Sequence, residues 1–196
     1  MSREELLELL GQDVLLAAPA LLGVTLVRGE MSAKIVEVEA YRSDDPACHA
    51  YQRRTPRTET LYGPPGIAYV YFNYGVHWML NVVAHRQEDA SGILIRAAKP
   101  LEGLDQMRQN RAVSRDHDLL SGPGKLTQAF GITGADNGLN LLTHDSDELH
   151  LLPAESPVVK IVTGPRVGIA QGKWHEVPWR FMDGDALEWV SKRPQC

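Results

Sequence analysis

The chain has 196 residues, 43% hydrophobic and 23% charged, with a formal net charge of −5. This is an ordinary globular balance, long enough to bury a sizeable core as one domain over 1–196 without covalent staples. Two cysteines, Cys48 and Cys196, make no disulfide framework, and no C-x-x-C or H-E-x-x-H pair points to a metal, so no metal, no cofactor and a reducing, intracellular home are expected.

The elements follow in chain order. "SREE", residues 2–5, reads as a capping box opening an amphipathic helix, with Ser2 as N-cap and Glu5 reaching back. This acidic start is unlike a signal peptide. The apolar run 14–27 falls short of the ~20 residues that span a bilayer, and Pro19 and Gly23 break it, so no membrane association is expected. A second short helix is placed around Pro19. "AKIVEVEAY", 33–41, is a strand by β-branched content and alternation. A Pro-rich loop fills most of 42–66. "GILIRAA", 92–98, is another strand, and Pro100 is expected to start a helix through "LEGLDQMRQNR". "SGPGKLTQAFGI", 121–132, reads as a turn opening a short helix that stops at Gly131. Short strands are expected at 149–152, 158–162 and 166–170. With no repeats and an irregular order, the pattern predicts an α+β fold with a mostly antiparallel sheet.

The stretch "YVYFNYGVHWMLNVV", 69–83, concentrates five aromatics in ten residues. It is too long for one ordinary strand of about 5–6 residues, and Asn73 and Gly75 supply a turn. The reading is a protruding hairpin with arms 69–72 and 76–83 and Tyr74 at its tip. A large aromatic there either packs on a neighbouring loop or projects as a wedge between base pairs. Phe72, Trp78 and Leu80 are assigned to the core. Tyr71, His77 and Asn81 are assigned to a pocket with aromatic walls and a few polar groups, the composition of a planar-ligand site.

In 33–41, alternation puts Ile35, Glu37, Glu39 and Tyr41 on one face and Val36, Val38 and Ala40 on the other. The two acids are i, i+2, with Cα atoms about 7 Å apart. They are either a solvated edge or a pair of which one is desolvated beside Tyr41 and serves as general base. His49 and "YQRRTPR", 51–57, follow. Arg53, Arg54, Thr55 and Arg57 are candidate phosphate grips, or a solvated basic loop. "SGPGKL" lacks P-loop spacing, yet sets Lys125 at a helix start, a possible phosphate site. Residues 49–125 hold ten Lys and Arg against seven Asp and Glu, and the rest of the chain holds ten against eighteen. That basic middle is either chance or a phosphate footprint.

Together these segments resemble, in order from about residue 14 to 182, the alkyladenine (3-methyladenine, methylpurine) DNA glycosylases of the vertebrate type that also occurs in bacteria. The resemblance rests on "APALLGVTLV", "KIVEVEAY", "DPACHAY", "RTPR", "GPPGIAYVYFNYGVHWMLNVV", "ILIRAAKPLEGLDQMR", "LLSGPGKLTQAFGI", "RVGIA" and "PWRF". It implies a single mixed domain around a curved antiparallel sheet, and a monofunctional base-excision enzyme acting on double-stranded DNA with damaged purines. Glu39 would activate the attacking water, with Arg96 helping to hold it. Tyr41, His49 and Tyr71 would sandwich a flipped base, with Asn81 on the pocket floor to exclude guanine's amino group and Leu94 at another lining position. Tyr74 would intercalate. Arg53, Arg54, Thr55, Arg57 and Lys125 would face the DNA backbone. Cys48 stands where the family usually has a small residue. A monomer is implied, in the cytoplasm at the nucleoid if the source is bacterial. No lysine is expected beside the site, so no lyase step is expected. A hydrolase of free nucleosides and a non-catalytic damage-sensing module are the competing readings.

Overall fold

The structure is a computed structural model that describes residues 1–73, 75–86, 89–143 and 147–194. Helix α1 (Arg3–Leu10) opens on the expected capping box: the Ser2 side chain accepts from Glu5 N–H, and Glu5 accepts from Ser2 N–H at 2.6 Å. Leu6 and Leu10, one turn apart, are its buried stripe. Helix α2 (Val14–Ala17) runs into a 3-10 turn, Ala18–Leu21, that holds Pro19. Strand β1 (Thr25–Arg28) follows, inside the apolar run where only a helix was expected.

All strand pairings are antiparallel. Strand β2 (Met31–Tyr41) is flanked on one side by β5 (Gly92–Glu102). On its other side lie β1, along its first residues, and β8 (Arg180–Asp183), along Glu37–Glu39. The sheet extends through β4 (His77–Val83) to β3 (Ala68–Asn73) at one end. At the other, β6 (His150–Leu152) borders β1, while β7 (Ile161–Gly164) pairs with β8. This curved antiparallel sheet with its helices is the α+β architecture expected. Helices α3 (Leu104–Arg111), α4 (Asp116–Leu119) and α5 (Pro123–Ala129) add Met107, Leu119, Leu126 and Ala129 to the main core.

Four expectations need correction. First, Pro100 starts no helix. It lies within β5, opposite Ala33, where β4 no longer pairs and its missing N–H costs no ladder bond. The break comes at Gly103, whose φ is +70° and whose Cβ would sit 2.7 Å from the Met31 backbone; α3 begins next. Second, 166–170 is a loop, and the strand in this region is β8.

Third, β2 does not alternate cleanly. Its pairing with β5 shifts at Ile35–Glu37 and again at Glu37–Val38, an extra residue on each strand (Val36 and Arg96) at the same point. Ala33, Ile35, Val38 and Ala40 all join the main core, while Val36 packs with Ala97, Met182, Ala186 and Val190 in a second cluster. Ile35 and Val36 thus have the faces opposite to those alternation gave them.

Fourth, Phe72 is not core. It is 46% exposed, its ring 4.8 Å from that of Trp78. The hairpin reaches beyond the sheet because β4 pairs with β5 only over Asn81–Val83. Its outer part is seated on α5 instead. The Thr127 hydroxyl donates to Trp78 O at 2.8 Å. A Cβ on Gly124 would lie 2.7 Å from His77 Cγ, and one on Gly134 would lie 2.7 Å from Trp78 Cη2. His77 therefore belongs to the hairpin's support on α5 and does not line the pocket. The tip residue, Tyr74, lies outside the described residues.

Candidate active site

Where β2, β3, β4 and β5 meet the loops 42–66 and 165–179, a cavity of about 300 Å³ opens to solvent. Tyr41, His49, Tyr71, Asn81, Leu94 and Arg96 line it, together with Cys48, Leu61, Tyr69 and Met79. Pairing explains the assembly. Asn81 is opposite both Tyr69 on β3 and Leu94 on β5, and Leu94 is opposite Glu39 on β2, so one row of the sheet forms the floor.

Glu39 lies just behind that floor and is fully buried. Its Oε2 accepts from Tyr41 Oη at 2.7 Å and from Arg96 Nη1 at 3.3 Å, and its Oε1 accepts from Val167 N–H at 2.7 Å. All three donors belong to residues that line the cavity. Tyr41 is held as a phenol: burial, then the Glu39 charge, push its ionisation well above the ordinary tyrosine range.

Glu37, which sequence reasoning placed only as half of an acid pair, is also fully buried. It accepts from Ser191 N–H at 2.6 Å and Ser191 Oγ at 3.0 Å, with Arg96 Nε 3.4 Å away. Arg180 Nε lies 3.1 Å from the same carboxylate, an ion pair without hydrogen-bond alignment. Two acids and two guanidiniums thus face one another under the site, and the segment around Ser191 closes over them. Charges this deep persist only when paired in this way.

Arg166 is a second unanticipated support. It is fully buried, paired with the buried Asp45, and donates to Ala40 O at 3.1 Å. Its Nε and Nη2 have no acceptor among the described residues. The guanidinium instead lies 4.7 Å from the Tyr41 ring centre and 5.2 Å from that of Trp179.

His49 and Tyr71 touch edge-on at 4.4 Å, and Tyr69 stands 5.4 Å from Tyr71. No base fits between His49 and Tyr71, so these rings form one wall. Burial pushes the Tyr69 phenol up to about 12, so it stays protonated, and its Oη shares a hydrogen bond with His49 Nδ1 at 3.0 Å. Desolvation, followed by the Arg57 charge, lowers His49 to about 4, although the residue stands exposed at the mouth. Asn81 donates one amide hydrogen to Tyr69 O at 3.1 Å, which leaves its Oδ1 and its second N–H to bond elsewhere. The Cys48 thiol, pushed up to about 11 by burial, is a neutral wall.

The five expected phosphate grips stand outside the lining. Arg54 pairs with Glu59 and lies 4.7 Å from the Tyr62 ring. The Thr55 hydroxyl is 3.1 Å from that of Thr58 within a turn. Arg57 lies 5.4 Å from the Tyr71 ring, and Lys125 donates to Ser121 Oγ at 3.2 Å. Arg53 is exposed. One lysine does line the cavity, contrary to expectation: Lys173, on the loop before β8. Lys173 carried no sequence signal, since a loop lysine is commonplace, and Val167 stood only within the "RVGIA" segment, without a role, because a backbone donor is invisible to residue type. Among the described residues no group of acids, histidines or cysteines is placed to hold a metal ion, and no helix is long and apolar enough to cross a membrane.

The chain matches the family model described as methylpurine-DNA glycosylase (MPG) over residues 8–186. It is 48% identical over 164 residues to a protein of Rhodopseudomonas palustris, covering 84% of this chain and 77% of that one. It is 44% identical over 164 residues to one of Nitrosospira multiformis, covering 84% and 82%. With one of Bradyrhizobium diazoefficiens it is 43% identical over 171 residues, covering 87% and 82%. Each of the three is named "Putative 3-methyladenine DNA glycosylase".

Proposed function

We propose that this chain, which belongs to the methylpurine-DNA glycosylase family, excises damaged purines from duplex DNA by a Glu39-directed water. Membership makes it a DNA glycosylase of base excision repair. The substrate class and the residue roles that follow are our reading, with 1–196 acting as one domain and as a monomer on chromosomal DNA in the cytoplasm. The observation that carries it is a buried carboxylate, Glu39, set behind an aromatic-walled cavity by donors that all line that cavity.

A base inside a duplex is out of reach, so the nucleotide is flipped out at a cost of a few kcal/mol. Tyr74 fills the gap. The base enters with the His49–Tyr71 wall on one face and Tyr41 on the other, above Asn81 and Leu94. Adenine-derived lesions such as 3-methyladenine, hypoxanthine and ethenoadenine, and 7-methylguanine, are the class expected. Cationic bases gain from π faces, but Arg166 and Arg57 already lie against Tyr41 and Tyr71. Neutral lesions are therefore expected to compete well.

Each carboxylate oxygen has two acceptor directions. Oε1 of Glu39 uses one for Val167 N–H, and the reading assigns the other to a water that enters from the cavity. That water gives its proton to Glu39 and its oxygen to C1′ as the C1′–N bond breaks; the bond's electron pair leaves with the base, which departs neutral from a cationic lesion and takes up a proton from solvent when the lesion is neutral. The negative charge stabilises the oxocarbenium-like transition state. Lysines that form Schiff bases are desolvated ones. Lys173 is exposed, so the abasic product is expected to stay unbroken.

The test is incubation with duplexes carrying one defined lesion each, followed by alkali, beside the free nucleosides. Excision from duplex, with strand breaks only after alkali, supports the reading. Release only from free nucleosides, or breaks without alkali, overturns it. Tyr74→Ala should lower the flipping signal of a fluorescent base analogue.

A further inference from the structure

A flipped nucleotide brings its flanking phosphates to the mouth of the pocket, and a chain of net charge −5 must meet them with local cations. The cavity lining offers two. Arg96 is buried and engaged by Glu37 and Glu39. Lys173 is exposed and makes no ion pair among the described residues. The acid of its own loop, Glu176, lies 3.6 Å from His175 instead. We propose that the loop carrying Lys173 and Trp174 is a second DNA-binding element, in which Lys173 takes a backbone phosphate beside the flipped nucleotide and Trp174 packs on the adjoining sugar.

The loop is fixed for such a task at both ends of the site. Val167 N–H is bonded to Glu39, Arg166 to Ala40 O and Asp45, and Trp179 O accepts from Ala40 N–H at 2.9 Å. Between these anchors, Gly168 and Gly172 take φ of +77° and +84°, and Lys173 N–H closes a turn on Ala170 O at 3.1 Å. Trp174 itself sits at φ +52°, a conformation that bulky residues avoid and that collects at functional sites. Its ring leans edge-on against Trp179 at 5.6 Å and is still 39% exposed. A free cation next to a held, exposed aromatic, on the rim of the cavity, has the chemistry of a nucleic-acid contact. The loop's tie to Glu39 would bring phosphate binding and the carboxylate into one rigid unit.

The inference rests on the duplex-DNA reading above, and the experiment separates the two. Affinity for a hypoxanthine duplex and for its undamaged counterpart is measured from about 0.05 to about 1 M salt, a range wide enough to resolve the slope. One phosphate contact contributes a slope of about 0.9 in log K against log salt, or about eightfold between 1 M and 0.1 M. Lys173→Ala should reduce the slope by that amount on the hypoxanthine duplex and by less on the undamaged one, Lys173→Arg should restore it, and Trp174→Phe should remove part of the tryptophan emission change on DNA addition. Wild-type slope and affinity in Lys173→Ala would overturn the inference alone. Failure of the wild-type protein to bind either duplex would overturn the DNA reading itself.

Discussion

Glu39→Gln swaps the buried carboxylate for an amide of the same shape with one acceptor oxygen. Three donors converge on Glu39, two at Oε2 and one at Oε1. With its oxygen turned to Tyr41 and Arg96, the glutamine sets its NH₂ against Val167 N–H. Turned the other way, it sets NH₂ against the phenol and the guanidinium. The first orientation loses one hydrogen bond to a charged acceptor, roughly 1.5–3 kcal/mol of stability, and leaves the cavity walls in place. The chemical loss is larger. An amide takes no proton from water, and removal of a general base costs about 10²–10⁴-fold, or about 2.7–5.4 kcal/mol of barrier. Excision under single-turnover conditions on a hypoxanthine duplex should therefore fall by at least about 10²-fold. Affinity for the same duplex, carried by the aromatic walls, should stay near wild type. A urea titration gives the stability loss independently, so an unfolded variant is recognised as such. Excision within a few-fold of wild type by a folded Glu39→Gln would refute the mechanism.

Arg166→Ala leaves Asp45 buried without its partner, which costs about 3–5 kcal/mol. The urea midpoint should drop by roughly 1.5–2.5 M at an m-value near 2 kcal/mol/M, and an unchanged midpoint would mean that the pair is not holding the loop. Gly124→Ala places a Cβ 2.7–2.8 Å from His77 Cγ and Cβ and should destabilise by about 1–3 kcal/mol. His77→Gly, which removes the Cβ as well as the ring, should relieve it, so the double-mutant cycle should show coupling; simple additivity would deny the contact. His49, lowered to about 4, is uncharged in the folded protein at pH values where the unfolded chain, near 6.5, already binds a proton. Stability from this group is therefore complete above about pH 6.5 and lost as pH falls toward 4. The NMR titration of His49 should centre near 4 and rise in Arg57→Ala; a midpoint near 6.5 would show that the ring is solvated.

What could be read in the sequence, and what could not, divides along a physical line. The period-2 pattern of β2 and β4 and the Asn73–Gly75 turn are local properties of the chain, and they placed Glu39 and Tyr41 on one face, and Asn81 on the pocket side of its strand. His77 failed by the same rule, because the outer half of the hairpin leaves the sheet and takes its neighbours from α5. Which of two acids matters was not a local property. Glu37 and Glu39 look alike in "VEVEAY"; the difference is that Glu37 meets Ser191 and Arg180, some 150 residues away in chain order, and Glu39 meets Val167.

The paired irregularity of β2 and β5 shows why alternation alone misassigned Ile35 and Val36. One strand read by itself has no reason to skip a residue. Two strands that must each bury residues on the core face at both ends, Ala33 and Ile35 with Val38 and Ala40 on β2, and Ala98 with Ile93 and Ile95 on β5, cannot do so with strict alternation. Skipping one residue on both, at Val36 and Arg96, keeps both core faces intact and the overall register unchanged. The same skip leaves Val36, Glu37, Arg96 and Ala97 together on the opposite face, where Val36 and Ala97 pack against the C-terminal segment and the two charged residues meet Ser191. The constraint that defeated the one-dimensional pattern is therefore the one that brings Arg96 between Glu37 and Glu39. Filling the core and building the ion cluster are one geometric solution, and a substitution that removed the bulge would disturb both.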